Sequence, residues 1–293
     1  MGIDALRKGR IKSIIQLTRP HQWYKNTVIF LAILFSRNFF NIGYLAVSVL
    51  GFLVLILVSS ANYIFNDLID LRRDRLNPEK KGRPLVSGEV DIYTAIFLLV
   101  ILSSVGLIGA YLLDIYFFFA VLAISITSTV YTVYLKDILF ADLLAISLIF
   151  GLRAVSGAVI IHVFVSPWLL VGVFFFSLFL VTGKRYGEAE FLEKRSASHR
   201  AVLRYYSKTL LYSLLNIFMT VLIMVFTLYS FFSDYKSLIW TTPLFIYLIL
   251  RYYYLILSNS EIVRNSEKAF KDYYLLIPMV IFMIAGFLIV FLS

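Results

Sequence analysis

Three aspartates with regular spacing stand directly after a long apolar run and could do chemistry together. Asp67, Asp70 and Asp74 follow one another at i, i+3 and i+7, which places their carboxylates on one face of a helix. Neighbouring carboxylates repel one another, so this face needs a compensating cation. Because all of its ligands would be oxygens, the face favours a hard ion, Mg²⁺ before Mn²⁺ or Ca²⁺. Asn66 would add a neutral oxygen ligand or orient one carboxylate.

The alternative for these aspartates is an ordinary solvated helix end, where they pair with Arg72, Arg73 and Arg75. We favour the functional interpretation because the carboxylates continue a membrane-embedded helix, and ionisable groups at that depth are functional by default. The chain beyond them is rich in Lys, Arg, Gly and Ser, which suit phosphate oxygens. Within it we single out Lys80 and Arg83, although part of this charge only fixes the membrane topology.

A second polar cluster lies at the turn between the fourth and fifth predicted helices. About three helical turns beyond it, Arg153 places a charge at bilayer depth, where it must face a cavity or a partner. A structural Arg–Asp pair between helices and a contact with a ligand both explain Arg153. The members of the cluster at the turn are Tyr131, Tyr134, Lys136, Asp137 and Asp142.

A third cluster ends the sixth predicted helix. Lys184 and Arg185 have the composition of ordinary interfacial anchors, but Glu188 follows Lys184 at i+4 and the group lies on the same membrane side as the aspartates. The N-terminal stretch adds Lys25 at that membrane face. We therefore include all four residues among the candidate ligand-binding side chains.

The elements that must position these residues are membrane helices. The chain of 293 residues is 61% hydrophobic and only 15% charged, against about 25% charged in soluble domains. It has no cysteine, which excludes disulfides, zinc–thiolate sites and thiol nucleophiles. Apolar runs long enough to cross a bilayer recur along it. They predict an all-α, polytopic membrane bundle of about nine transmembrane helices, at roughly 25–37, 42–66, 91–112, 115–135, 138–160, 166–184, 209–232, 238–257 and 273–292.

Positive charge is distributed unevenly between the predicted loops. Most of the 27 Lys and Arg residues fall in alternate gaps, whereas the gaps between them hold only Arg37 and Lys236. The positive-inside rule places the N-terminus in the cytoplasm and the C-terminus outside, and it explains the net charge of +10 without nucleic-acid binding. A homo-oligomer is compatible with this organisation. We predict one catalytic domain, an interfacial amphipathic segment and two cytoplasmic cap loops, at 1–293, 1–20, 67–90 and 184–208 respectively.

The pattern Asn66-Asp67-x-x-Asp70-x-x-x-Asp74 resembles the first aspartate motif of the UbiA-type intramembrane prenyltransferase superfamily. The resemblance covers nearly the whole chain. It implies a UbiA-like bundle with a cytoplasm-facing active-site cavity, in which the motif chelates Mg²⁺ bound to a prenyl diphosphate. The second motif of the family falls after the fourth helix, where this chain has Tyr134-x-Lys136 and Asp142.

Further motifs resemble one branch of this superfamily, the decaprenyl-phosphate phosphoribosyltransferases. The branch implies a pentosyltransferase in the plasma membrane, with 5-phosphoribosyl diphosphate as donor and a polyprenyl (decaprenyl-type) phosphate as acceptor, which supplies cell-wall arabinan synthesis. The second motif, Asp137-x-x-x-x-Asp142, departs from the regular Asp-x-x-x-Asp of the quinone-type branches, which favours this branch. The motifs are Thr18-Arg19-Pro20-x-Gln22-Trp23-x-Lys25-Asn26, Asn77-Pro78-x-Lys80-x-x-Arg83-Pro84-x-x-Ser87-Gly88, Leu135-Lys136-x-x-x-x-x-Asp142, Gly151-x-Arg153-Ala154-x-x-Gly157-Ala158 and Gly183-Lys184-Arg185-x-x-Glu188.

The implied chemistry assigns roles to the residues singled out above. Asp67, Asp70 and Asp74 carry Mg²⁺ and, with Lys136 and Asp142, form the expected catalytic set. In that set Asp142 holds the ribose hydroxyls or a second metal ion. The expected substrate-binding residues are Lys25, Asn66, Arg73, Lys80, Arg83, Tyr134, Arg153, Lys184, Arg185 and Glu188.

Two other functions remain open. One is a prenyltransferase that moves a prenyl group from an allylic diphosphate to an aromatic or lipid acceptor. The other is a transporter of lipids or solutes, which would need charged or broken helices near the bilayer midplane. Most of the charge lies at one membrane face, so Arg153 is the one residue that points to a transporter.

Overall fold

The computed structural model describes residues 11–77, 80–164, 166–193, 202, 205–258 and 271–292, and these residues form helices and no strands. The predicted all-α fold is therefore confirmed. Residues 11–17 are helical, and three stretches of 3-10 helix are Pro20–Phe30, Leu135–Asp137 and Lys236–Thr241. The α-helices are α1 (Leu31–Phe35), α2 (Ile42–Arg75), α3 (Pro84–Ser87), α4 (Ile92–Leu113), α5 (Ile115–Val133), α6 (Ala141–Ile160), α7 (Pro167–Glu193), α8 (Lys208–Phe232), α9 (Thr242–Leu257) and α10 (Tyr273–Leu292).

Eight helical segments among the described residues are long and apolar enough to cross a membrane: α2, α4 to α8, α10, and α9 together with the 3-10 helix before it (Lys236–Leu257). The mean hydropathy of α10 is the highest, at 3.0. The outer faces of these helices carry large apolar side chains; α4, for example, exposes Phe97, Val105 and Ile108. Because so much apolar surface needs lipid around it, the structure confirms a multi-pass membrane protein.

The first predicted crossing, 25–37, takes a different form from the one expected. It is the 3-10 helix Pro20–Phe30 continued by α1, and it is not among the eight membrane-length helices. The segment still runs along the bundle from one end of α2 to the other. Its beginning lies near the end of α2, where Arg19 contacts Asp67, and its end, α1, lies shortly before the start of α2. A 3-10 helix rises about 2 Å per residue, so the segment covers this depth with fewer residues than an α-helix would need.

Tight packing around Gly157 explains where this 3-10 helix lies. A Cβ on Gly157 of α6 would stand 2.0 Å from the carbonyl oxygen of Ile29, so only glycine allows the two elements to approach this closely. Around this contact the 3-10 helix, α1, α2, α4, α5 and α6 bury one apolar core, which includes Leu55 and Phe117. A second core lies between α7, α8, α9 and α10, around Phe179 and Ile256. The assignment of one domain to the whole chain stays a prediction.

Both predicted cap loops begin with helix. Helix α2 continues to Arg75, past the predicted end at 66, and α7 continues to Glu193. The basic side chains in the last turn of α2 favour this extension, because cations stabilise the negative end of the helix dipole. The parts of the predicted segments that lie outside the described residues are 1–10, 78–79, 194–201, 203 and 204.

Candidate active site

The three aspartates occupy one buried face at the end of α2. The helix is continuous from Ile42 to Arg75, so the i, i+3, i+7 spacing does place them on successive turns. Asp67, Asp70 and Asp74 are 4%, 8% and 1% exposed. Buried carboxylates need compensating charge or hydrogen bonds, and each of the three has a basic partner.

Asp67 and Asp74 share one partner, Arg83. The Nη1 nitrogen of Arg83 lies 2.8 Å from Asp67 Oδ1 and also contacts Asp74 Oδ2. Arg19 donates a second hydrogen bond to Asp67 Oδ1, and Lys80 Nζ lies 2.5 Å from Asp74 Oδ1. Three cations, Arg19, Lys80 and Arg83, thus alternate with the two carboxylates on this face.

Asp70 has a separate partner on another element. Lys136 Nζ lies 2.5 Å from Asp70 Oδ1, and both side chains are almost fully buried. Lys136 belongs to the 3-10 helix after α5, and its neighbour Asp137 accepts a hydrogen bond of 2.8 Å from Arg73 Nη1 on α2. Two ion pairs therefore fasten this turn to the aspartate face, and Arg73 contributes to the attachment.

The donor set fits Mg²⁺ at two of the three aspartates. Among the described residues, no three acidic or histidine side chains come together as a ready-made metal site. Because one nitrogen of Arg83 contacts both Asp67 and Asp74, a cation at that point would also reach both carboxylates. Mg²⁺ usually binds one or two carboxylates together with substrate phosphates and water. The assignment of three metal ligands stays a prediction, which the geometry favours for Asp67 and Asp74 over Asp70.

Asp142 belongs to a different, fully buried cluster. It is 0% exposed, and its two oxygens accept hydrogen bonds from Arg185 Nε at 2.8 Å and from the Tyr206 hydroxyl at 2.6 Å. Arg185, itself 2% exposed, also donates to Glu188 at 2.7 Å. The interhelical Arg–Asp pair weighed from the sequence therefore exists, but its arginine is Arg185 and not Arg153.

Tyr206 connects this cluster to the turn that carries Lys136. Its hydroxyl accepts a hydrogen bond of 3.0 Å from the backbone N–H of Phe140, a residue held at a positive φ of 65°. Burial and the hydrogen bond donated to Asp142 raise the pKa of the Tyr206 hydroxyl. The cluster thus positions the end of the turn, whereas the roles predicted for Asp142, Arg185 and Glu188 in substrate binding stay predictions.

Arg153 lies deeper in the bundle, in the middle of α6. It is 6% exposed, it lies 5.2 Å from the ring centroid of Phe150, and the Tyr63 side chain is close enough to interact with it. Tyr63 also stacks under Arg19, at 5.1 Å. Because Tyr63 precedes Asp67 by one helical turn on α2, Arg153 lies about one turn below the aspartate face.

The remaining predicted residues lie nearer the surface. Tyr134 is 67% exposed, Lys184 is exposed, and Lys25 and Asn66 are half-buried. Sequence reasoning missed Arg19 as a site residue. Arg19 stands in the same N-terminal motif as Lys25, and its neighbour Pro20 signals a change of backbone direction. Its left-handed φ of 52° turns the chain so that its side chain reaches Asp67.

The fold is that of an intramembrane helical bundle, and the family match assigns it to the transferases. The chain belongs to the UbiA prenyltransferase family, whose model matches residues 27–271. The resemblance seen in the aspartate motif is therefore confirmed.

Individual relatives narrow the comparison. The decaprenyl-phosphate phosphoribosyltransferase of Mycobacterium tuberculosis is 30% identical over 235 residues, which is 78% of this chain and 78% of the relative. The decaprenyl-phosphate phosphoribosyltransferase of Mycolicibacterium smegmatis is 29% identical over 231 residues, which is 78% of this chain and 73% of the relative. A solved structure of a UbiA homologue from Archaeoglobus fulgidus, bound to GPP and Mg²⁺, superposes with a TM-score of 0.72 at 18% identity, covering 95% of this chain and 99% of that one. This structural match shows that the two chains share a fold.

Proposed function

We propose that this protein transfers 5-phosphoribose from 5-phosphoribosyl diphosphate to a polyprenyl phosphate and releases diphosphate. The observation that carries the proposal is the interleaving of Arg83 with Asp67 and Asp74. It puts carboxylate oxygens for Mg²⁺ next to cations for phosphate oxygens, which is what a diphosphate leaving group requires. The phosphoribosyltransferase relatives, similar along most of the chain, favour the sugar donor.

The proposed reaction is a displacement at the anomeric carbon of the ribose. An oxygen of the lipid phosphate forms the new bond to this carbon while the bond to the diphosphate breaks, and the electron pair leaves with the diphosphate. A phosphate monoester has a second pKa of about 6, so the nucleophile is already anionic at neutral pH. The site therefore needs no strong general base. This agrees with the aspartate, lysine and arginine side chains that make up its ion pairs.

The side chains of this site act mainly by stabilising charge. Mg²⁺, when bound, neutralises the diphosphate as a Lewis acid, and Asp67 and Asp74 are the residues we expect to hold it, with Asp70 beside them. Arg83 has five N–H donors in a planar fork, so it can contact carboxylates and phosphate oxygens together. Lys80 adds a second cation where negative charge grows on the leaving group.

The acceptor must bring its phosphate to this face from the bilayer. We propose that the isoprenoid tail stays among the exposed apolar side chains of the bundle while the phosphate remains at the interface. This requires the aspartate face to open toward the cytoplasm, with the N-terminus on that side and the C-terminus outside. We also infer location in the plasma membrane and supply of a cell-wall arabinan precursor.

A donor assay tests the proposal directly. Purified protein in detergent with Mg²⁺ should release diphosphate from 5-phosphoribosyl diphosphate only when a polyprenyl phosphate is present. The lipid product should carry the phosphoribosyl group. Asp74→Asn should abolish the reaction, whereas Asp234→Asn, the same change at an exposed position, should not. Diphosphate release without lipid acceptor, or no release at all, would contradict the proposal.

A prenyltransferase is the second candidate. It is favoured by the family and by the structural neighbour bound to GPP and Mg²⁺. Offering geranylgeranyl diphosphate with an aromatic acceptor separates the two, because the phosphoribosyltransferase should leave this donor intact. Consumption of geranylgeranyl diphosphate in place of the sugar donor would select the prenyltransferase. Uptake of substrate into sealed vesicles without conversion would select a transporter.

A further inference from the structure

Arg153 carries a buried charge that no carboxylate compensates. None of the ion pairs among the described residues includes it, and its partners are the ring of Phe150 and the side chain of Tyr63. Its Nε is buried without a hydrogen-bond partner in the described part of the chain. An unpaired charge at this depth is expensive, so its presence calls for an anion from outside the chain.

A second unused donor belongs to the same layer of the bundle. Asn26 is 1% exposed; its Oδ1 accepts a hydrogen bond of 3.0 Å from Ser59, but its Nδ2 has no partner within the described residues. Asn26 and Arg153 each stand about one turn before the contact between Ile29 and Gly157. The 3-10 helix and α6 therefore bring two buried, unsatisfied N–H groups to within about one helical turn of each other along the bundle.

A water molecule could satisfy these N–H groups but could not compensate the charge of Arg153. A phosphate group does both, because it offers several acceptor oxygens and negative charge. Because Arg153 lies about one turn below Asp67, a phosphate bound to it would occupy a second site, deeper in the bundle than the site proposed for the diphosphate.

We propose that Arg153 and Asn26 bind the 5-phosphate of the sugar donor. This inference rests on the proposed function. A phosphoribosyl diphosphate carries two anionic groups separated by one sugar ring, which suits two sites separated by one helical turn. The phosphate of the lipid acceptor does not suit the lower site, because its tail must stay in the bilayer. An isoprenyl chain does not suit it either, because it would leave the buried charge uncompensated.

The site selects the donor by charge. A prenyl diphosphate bound at the aspartate face would direct an apolar chain against Arg153, whereas a phosphorylated pentose would neutralise it. Arg153 thereby determines specificity between the two donor classes that this fold accommodates.

Binding of ribose 5-phosphate to the purified full-length protein, measured by calorimetry in detergent, tests the proposal. Arg153→Gln should weaken this binding about tenfold or more, the loss expected for a hydrogen-bonded charge. The affinity for inorganic diphosphate with Mg²⁺ and the affinity for farnesyl phosphate should change less than about twofold. Arg72→Gln, which removes an exposed arginine, should change none of the three affinities. Weaker binding of farnesyl phosphate with intact binding of ribose 5-phosphate would overturn the proposal and assign the pocket to the acceptor.

Stability supplies a readout that a purely structural arginine would move in the opposite direction. Without ligand, Arg153→Gln should unfold at the wild-type temperature or above it, because it removes a buried uncompensated charge. A clear fall in the unfolding temperature would show a structural role and overturn the proposal.

Asn26→Asp gives an independent variant of nearly the same shape. It should place a carboxylate within about one helical turn of Arg153 and weaken binding of ribose 5-phosphate to a similar extent. Unchanged binding in this variant would contradict a shared pocket.

The failure of this inference can be told apart from the failure of the proposed function. If the wild-type protein uses 5-phosphoribosyl diphosphate but Arg153→Gln binds ribose 5-phosphate normally, only the inference is wrong. If the wild-type protein uses geranylgeranyl diphosphate and not the sugar donor, the proposed function is wrong as well.

Discussion

Lys136 and Asp70 form a buried ion pair, with 2.5 Å between Nζ and Oδ1 and side-chain exposures of 5% and 11%. The pair joins the turn after α5 to the aspartate face of α2. The other two aspartates of this face share Arg83 instead. The face is therefore divided: one carboxylate holds a neighbouring element in place, and two converge with the cations that we propose to bind phosphate.

Breaking the Lys136–Asp70 pair from one side should destabilise the protein more than removing both charges. Lys136→Met leaves the Asp70 carboxylate buried without its ammonium group, and breaking a buried pair in this way costs about 3–5 kcal/mol. The double variant Lys136→Met/Asp70→Asn removes the uncompensated charge and should recover most of the stability. Thermal unfolding of the wild-type protein, Lys136→Met, Asp70→Asn and the double variant in detergent measures this double-mutant cycle.

Lys236→Met, the same change at an exposed position, is the matched control and should leave the unfolding temperature unchanged. Strictly additive losses in the cycle would show that the two charges do not stabilise each other. Turnover should stay low in the double variant even if stability returns, because Lys136 and Asp70 both lie at the site.

Removing Arg83 should separate metal binding from catalysis. Arg83→Gln eliminates the cation that lies between Asp67 and Asp74, so Mn²⁺, used as a probe for Mg²⁺, should bind more tightly. Turnover should nevertheless fall about 100-fold, because the stabilisation of charge on the leaving group is lost. Electron paramagnetic resonance measures the first effect and diphosphate release the second.

The control for this prediction is Arg75→Gln, at an exposed position on the same helix end, which should alter neither quantity. Weaker Mn²⁺ binding in Arg83→Gln would mean that Arg83 supports the metal site instead of competing with it.

Local periodicity made the aspartate face predictable, whereas its partners come from distant parts of the chain. The i, i+3, i+7 spacing is a property of one helix, and α2 does present it. The contact of Arg19 with Asp67 and of Lys136 with Asp70 depends on how separate elements pack. No spacing within the sequence encodes such a pairing. No spacing encodes the left-handed backbone of Arg19 either.

The first crossing shows the same limit for the fold. Hydropathy located a segment near 25–37, but it could not show that Pro20–Phe30 forms a 3-10 helix. The position of this helix depends on close packing of Ile29 against Gly157 of α6, a contact between residues far apart in the chain. Likewise, the sequence left open an interhelical Arg–Asp pair as an explanation of Arg153, but the packing of α6 against α7 pairs Asp142 with Arg185.

Asp142 should prove more important for stability than for donor affinity. Asp142→Asn leaves Arg185 with Glu188 alone, and weakening a fully buried pair costs about 3–5 kcal/mol. Tyr206→Phe removes the hydrogen bond donated to Asp142 and the one accepted from Phe140, and should cost about 1–3 kcal/mol. Thermal unfolding compares the variants, and calorimetry with 5-phosphoribosyl diphosphate measures donor affinity. A folded Asp142→Asn protein of wild-type stability that has lost donor affinity would instead support the predicted contact with ribose.

Tyr206 should also impose a pH dependence on stability at the alkaline end. Its pKa is raised by burial and by the hydrogen bond to Asp142, so the folded protein holds this proton more tightly than the unfolded chain, where tyrosine has a pKa of about 10. The contribution is therefore complete below about pH 10 and is lost as the pH rises above it. Unfolding temperatures measured from neutral to alkaline pH should fall more steeply for the wild-type protein than for Tyr206→Phe. Tyr205→Phe, at the exposed neighbouring position, should follow the wild-type curve; equal slopes for all three proteins would exclude Tyr206 as the titrating group.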